Sequence, residues 1–100
     1  MAMNILYSSL FLSHLEDILF FYDERNGSDT FSRKLLQKFQ RQIGLLATMP
    51  DIGRKTNHAN IRILFIDDYG IEYERINNDI IIIDIYSCLT NPALRRFIKA

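Results

Sequence analysis

The sequence has little that would support a disulfide framework or a metal centre. Its single cysteine, Cys88, has no internal partner for a disulfide bond. The two histidines, His14 and His58, fall on different predicted elements, and no set of residues has the spacing of metal ligands. We therefore expect no metal and no cofactor, and a fold held together by its hydrophobic core.

The sequence also lacks an excess of one charge and long apolar runs. Twelve Lys and Arg residues balance twelve Asp and Glu residues, so the net charge does not indicate a nucleic-acid-binding protein. The apolar stretches fall short of the roughly 18 residues of a membrane span. The N-terminus lacks the basic segment and the small-residue cleavage site of a signal peptide. We expect a soluble cytoplasmic protein that does not associate with membranes.

The chain does have enough apolar sequence for one core. Its 100 residues are 48% hydrophobic and 24% charged, which is typical of a globular protein and excludes general disorder. There is no internal repeat, low-complexity segment or linker. A single domain spanning residues 1–100 is the expected organisation.

The N-terminal half predicts a strand and two helices. Residues 3–7 (MNILY) are short and rich in strand-compatible side chains. Two apolar stripes at helical spacing follow, and Asn26-Gly27-Ser28-Asp29 separates them with residues that end one helix and cap the next. The second helix is expected to run to about Thr48, before Pro50. The stripes are Phe11, Leu15, Ile18 and Tyr22, then Phe31, Leu35, Phe39, Gln42 and Leu46.

The sequence does not decide which residue caps the first helix. Either Ser8 or Ser9 could cap it, and Ser13 with Glu16 also fits a capping box.

The C-terminal half predicts a three-stranded meander. Residues 61–66, 69–76 and 80–86 read as strands joined by turns so short that neighbours must be antiparallel. Ile80 to Ile83 leave no polar face, which predicts an inner strand covered on both sides. Pro92 to Lys99 can form a short helix or an arm. The predicted fold is α+β, with an antiparallel sheet of about four strands, a helical hairpin on one face, and the order β-α-α-β-β-β.

Each group of charged residues on the predicted strands and helices has both a structural and a functional interpretation. Glu72 and Glu74 share a strand face, as an acid and a base would, but alternating surface charges paired with Arg62 and Arg75 explain them better. Two basic clusters are either solvated surface or binding sites for an acidic partner. They are Arg33, Lys34, Lys38 and Arg41, to which Arg54 and Lys55 can add, and Arg95, Arg96 and Lys99.

The order of these elements and their junction sequences resembles the RelE/ParE superfamily of toxins from bacterial type II toxin-antitoxin and plasmid-stabilisation modules. The resemblance covers nearly the whole chain and implies the same fold. It also implies a cognate antitoxin as a partner, and either DNA gyrase (ParE-like members) or the ribosome and its mRNA (RelE-like nucleases) as the target. The segments that carry it are LEDILFFY, IGLLATMPDIGR, IRILFIDDYGIEYERI and NNDIIIIDIYSCLTNP.

The nuclease members of the superfamily carry arginines that this chain lacks. The resemblance places one arginine where Leu89 or Thr90 stands, before Asn-Pro, and another where Gly70 follows Tyr69. A cation at such a position stabilises the charge that develops on a cleaved phosphate. We therefore interpret the chain as a ParE-like toxin whose catalytic residues are unknown, with Arg62 and Arg75 as weak candidates.

Two alternatives to this interpretation stay open. The first is a ribosome-dependent mRNA endonuclease with an altered site, and the second is a non-toxic relic or interaction module. The residues expected to contact target or antitoxin are Arg62, Tyr73, Tyr86, Asn91, Arg95 and Arg96. An exposed sheet edge also makes a homodimer possible.

Overall fold

The computed structural model describes residues 2–89, which form two helices and a five-stranded sheet. The elements are β1 (Asn4–Tyr7), α1 (Ser9–Asn26), α2 (Thr30–Gly44), a 3₁₀ turn (Leu45–Ala47), β2 (Arg54–Lys55), β3 (Ile61–Ile66), β4 (Tyr69–Ile76) and β5 (Asp79–Ser87). The strand order in the sheet is β1-β5-β4-β3-β2. None of the described helices has the length and hydropathy to cross a membrane. The helix or arm predicted over residues 92–99 lies outside the described residues.

The predicted α+β fold is confirmed, and the sheet is larger than expected. β1 pairs in parallel with β5, whereas the other neighbours are antiparallel, so the sheet is mixed. β2 is not among the predicted elements, because two residues carry no periodicity. It forms by pairing Arg54 with Ile63 and Lys55 with Arg62 at the end of the sheet.

The ends of the two helices follow from capping chemistry. The Ser8 side chain accepts the backbone N–H of Phe11, so Ser8 is the N-cap of α1. Gly27 ends α1 with a left-handed backbone, at φ 66°. Asp29 occupies the N-cap position of α2 but makes an ion pair with Arg33 at 2.9 Å instead of a capping bond. The α-helix ends at Gly44, and the 3₁₀ turn that follows ends at Ala47, next to the predicted helix end at about Thr48.

The core lies between the helical hairpin and one face of the sheet. Its largest fully buried members are Tyr73, Phe11, Phe39 and Leu46, together with isoleucines of β4 and β5. Ile80 and Ile82 are buried, but Ile81 and Ile83 are only half-buried. The prediction of an inner strand is confirmed, because β5 lies between β1 and β4, but the described residues cover its two faces unequally. In the described part of the chain, helices cover only the inner face, and the opposite one is called the outer face below.

A β-bulge in β5 attaches α1 to the sheet. The register pairs Glu72 with Asp84 and Tyr73 with Ile82, so Ile83 is the extra residue. The Asp84 carboxylate, which is buried, lies 2.6 Å from Nδ1 of His14 on α1 and accepts the N–H of Ile85. This contact fixes the N-terminal half of α1 against β5.

Candidate functional site

Three cationic side chains meet at a cavity at the β2 end of the sheet. Lys55 is the register partner of Arg62, and Arg62 is the partner of Tyr73. Arg75 lies two residues beyond Tyr73, on the same face of β4. Together with the loops at residues 50–51 and 56–60, they line a cavity of about 480 Å³, called the cationic cavity below.

Tyr73 holds one wall of the cationic cavity in place. Its side chain is 1% exposed, and its hydroxyl donates to the carbonyl of Pro50 at 2.8 Å and accepts the N–H of Gly53 at 2.9 Å. A Cβ at residue 53 would overlap the Tyr73 hydroxyl and ring, so only glycine fits. Burial raises the pKa of Tyr73, against smaller opposing effects of the Gly53 hydrogen bond and the Arg62 charge. The hydroxyl is therefore neutral and engaged in fixing the loop.

Arg62 fixes the same loop from the neighbouring strand. One terminal nitrogen donates to the carbonyls of Asp51, at 3.2 Å, and Gly53, at 2.9 Å. The Asp51 carboxylate lies 3.7 Å from the Arg62 Nε and 3.8 Å from a terminal nitrogen of Arg75. The prediction that these arginines pair with Glu72 and Glu74 was wrong, because the register places both glutamates on the outer face.

Two carboxyl groups lie next to each other at the β-bulge between β4 and β5. Glu72 and Asp84 are register partners on β4 and β5. Burial raises the pKa of Glu72, the charge of Asp84 raises it further, and His58 has a smaller opposing effect. Burial also raises the pKa of Tyr86 to about 12, with added effects from the charges of Glu72 and Asp84.

An apolar groove runs between α1 and α2 and reaches Tyr7 of β1 at one end. Two adjoining cavities, of about 290 and about 330 Å³, share Leu12, Leu15 and Leu36. Leu12 is 50% exposed and Phe20 is 63% exposed, which is high for large apolar side chains. The groove, called the hairpin groove below, is lined by the apolar residues Tyr7, Leu12, Leu15, Leu19, Phe20 and Leu36, with the polar residues Glu16, Asp23 and Gln40 beside them.

The structure brings together only some of the residues predicted as a site. Arg62, Tyr73 and Arg75 meet at the cationic cavity, whereas Tyr86 lies on the outer face, opposite Gly70. Asn91, Arg95 and Arg96 lie outside the described residues. No group of described residues could hold a metal ion.

Sequence reasoning missed two parts of the site. Lys55 was assigned to the basic patch of α2, but it lies on β2 opposite Arg62. The hairpin groove was missed because only the apolar stripe of α1 was interpreted, as a buried face. The sequence does contain a signal for it, because α1 carries the large apolar residues Leu12, Phe20 and Phe21 outside the main stripe.

The helical hairpin on a five-stranded sheet is an α+β fold of the RelE/ParE type. The chain belongs to the ParE toxin family, whose model, "ParE toxin of type II toxin-antitoxin system, parDE", matches residues 5–92. A solved structure titled "Chromosomal ParDE TA system from P. aeruginosa" has the same fold, with a TM-score of 0.75 and 18% sequence identity. That match covers 86% of this chain and 96% of the other. No curated protein matches the chain.

Proposed function

We propose that this protein is the toxin of a type II toxin-antitoxin module that arrests growth by binding DNA gyrase. A cognate antitoxin neutralises it by laying an apolar helix into the hairpin groove. Membership of the ParE toxin family supports the toxin class. The observation that carries the neutralisation step is the groove itself, which leaves large apolar side chains exposed.

The hairpin groove has the chemistry of a helix-binding site. Its walls are mainly leucines, with Tyr7 in one of its two cavities and Phe20, Glu16 and Asp23 in the other. Amphipathic helices bind such apolar grooves through residues at i, i+3, i+4 and i+7. Burying a leucine or phenylalanine side chain contributes about 1.5–3 kcal/mol. Covering the exposed parts of Leu12 and Phe20 would therefore contribute substantially to a stable complex.

The residues at the positions of the nuclease arginines argue against RNA cleavage and so favour gyrase over the ribosome as the target. Ribonuclease chemistry of the RelE type needs a base for the 2′-hydroxyl, a cation at the phosphate and an acid for the leaving oxygen. Glu72 lies opposite Asp84, and Arg62 on the inner face is already engaged by two carbonyls. Gly70, and Leu89 or Thr90, stand where the resemblance places the arginines of the nuclease members, so these positions supply no cation to a cleaved phosphate.

Inducible expression in a bacterial host without antitoxin tests the target. We expect growth arrest with altered supercoiling of a reporter plasmid and with intact messenger RNA. New transcript ends inside translated messages would instead establish the nuclease alternative and direct attention to Arg62 and Arg75. Unimpaired growth would favour the non-toxic alternative.

A pair of matched phenylalanine variants tests the groove. Phe20 lies in the groove and Phe65, which is 40% exposed, lies on the outer face of β3. With the antitoxin encoded beside the toxin gene, Phe20→Ser is expected to weaken the complex by tenfold or more, so that co-expression no longer restores growth. Phe65→Ser is expected to be neutralised normally. Equal neutralisation of both variants would contradict the assigned groove.

A further inference from the structure

The cationic cavity concentrates positive charge in a way that the fold does not require. Lys55 and Arg62 stand directly opposite each other on β2 and β3, and Arg75 is the diagonal neighbour of Arg62 on β4. Like charges directly opposite each other destabilise a sheet. In a chain whose net charge is zero, a binding function explains why three cations meet on one face.

The carboxylate at the cavity only weakly compensates these cations. Among the described residues that line it, Asp51 is the only acidic one. Its distances to Arg62 and Arg75, 3.7 and 3.8 Å, exceed hydrogen-bond length, and its side chain is 66% exposed. Ion pairs as exposed as these contribute little to stability. A more highly charged anion can therefore displace Asp51 at small cost.

We propose that the cationic cavity binds a phosphate group. Arg75 and Lys55 supply charged donors to its oxygens, and Arg62, held in place by the carbonyls of residues 51 and 53, supplies a fixed positive charge behind them. Asp51 acts as the counter-ion that the phosphate replaces. This proposal does not depend on the target of the toxin or on the hairpin groove.

The cavity has the size and the rigid walls of a ligand site. Its volume, about 480 Å³, falls in the range of pockets for small ligands such as a mononucleotide. One wall is the loop clamped by Tyr73. In the other wall, the Thr56 hydroxyl donates to the carbonyls of His58 and Ile61. A cavity with walls fixed in advance loses little entropy when a ligand binds.

A phosphate of this kind can come from a free nucleotide or from a nucleic-acid backbone, and titration with defined probes separates the two. Inorganic phosphate, ATP and a 20-base-pair DNA duplex are each titrated into the purified full-length chain at low and moderate salt. Binding of ATP with weak binding of the duplex identifies a nucleotide site. Tighter binding of the duplex, with an affinity that falls steeply as salt rises, identifies a backbone site.

Matched charge variants decide whether the bound phosphate occupies this cavity. Lys55→Ala and Arg75→Ala should each weaken binding about tenfold, because each removes a charge-assisted hydrogen bond. Lys34→Ala and Arg41→Ala remove the same charges from the exposed surface of α2 and should change the affinity less than twofold.

Asp51→Asn should change the affinity in the opposite direction, because removing the resident carboxylate should tighten phosphate binding severalfold. For the duplex, Arg75→Ala should also lower the salt slope by about one. Equal losses in the cavity and α2 variants, weaker binding by Asp51→Asn, or the absence of binding by all three probes would overturn the proposal.

Discussion

Replacing Tyr73 by phenylalanine tests whether one hydroxyl fixes the loop that carries the cationic cavity. The substitution keeps the buried ring and removes only the oxygen that bonds to Pro50 and Gly53. The N–H of Gly53 is then buried without a partner and the carbonyl of Pro50 is left partly buried. Each such loss costs about 1–3 kcal/mol.

The expected decrease in the free energy of unfolding is about 2–4 kcal/mol, with the lower end favoured by the partial exposure of the Pro50 carbonyl. For a domain of this size, it lowers the melting temperature by roughly 10–20 °C. Urea denaturation followed by circular dichroism measures it. Tyr7→Phe is the matched control, because the Tyr7 ring is 47% exposed, and it should change stability by less than about 0.5 kcal/mol. A Tyr73→Phe protein as stable as the Tyr7→Phe protein would refute the assignment of the clamp.

Two further predictions concern the electrostatics of the sheet and the cap of α1. Because burial and Asp84 raise the pKa of Glu72, the folded state binds the Glu72 proton more tightly than the unfolded state does. Keeping the Glu72 carboxylate charged in the folded state costs free energy at neutral pH, but this cost is absent below the normal pKa of a glutamate, where the group is protonated. Glu72→Gln should therefore stabilise the protein at pH 7 and not at pH 3. Thermal melts at both pH values check this against Glu74→Gln, and stabilisation of equal size at both pH values would contradict it. Ser8→Ala removes the cap of α1 and a hydrogen bond to a β5 carbonyl. It should cost about 1–2 kcal/mol in urea denaturation, and a change below about 0.3 kcal/mol would contradict the cap.

Local sequence signals predicted the meander and the helix break well. The bounds of β3 and β4 agree with the predicted strands, because alternation and tight turns are encoded within a few residues. Gly27 ends α1 where its left-handed conformation was expected. By contrast, β2 and the parallel pairing of β1 with β5 depend on contacts between distant segments. Strands of two or four residues are too short to show the alternation of apolar and polar residues from which such pairing could be predicted.

The candidate site was harder to predict because strand register decides which face a side chain occupies. Glu72 and Glu74 were correctly placed on one strand face, but Arg62 pairs with Tyr73 and so lies on the opposite face. Its partner is Asp51, from a loop whose position depends on the Tyr73 clamp. Such a contact becomes visible only when β2, β3 and β4 are assembled.

Inhibition of purified DNA gyrase is the measurement that tests the central proposal most directly. Supercoiling of relaxed plasmid by gyrase is followed with increasing amounts of the toxin, with and without its antitoxin. The account predicts dose-dependent inhibition that the antitoxin reverses for the wild-type toxin but not for Phe20→Ser. Gyrase that stays fully active, while messenger RNA is cut on translating ribosomes, would contradict it.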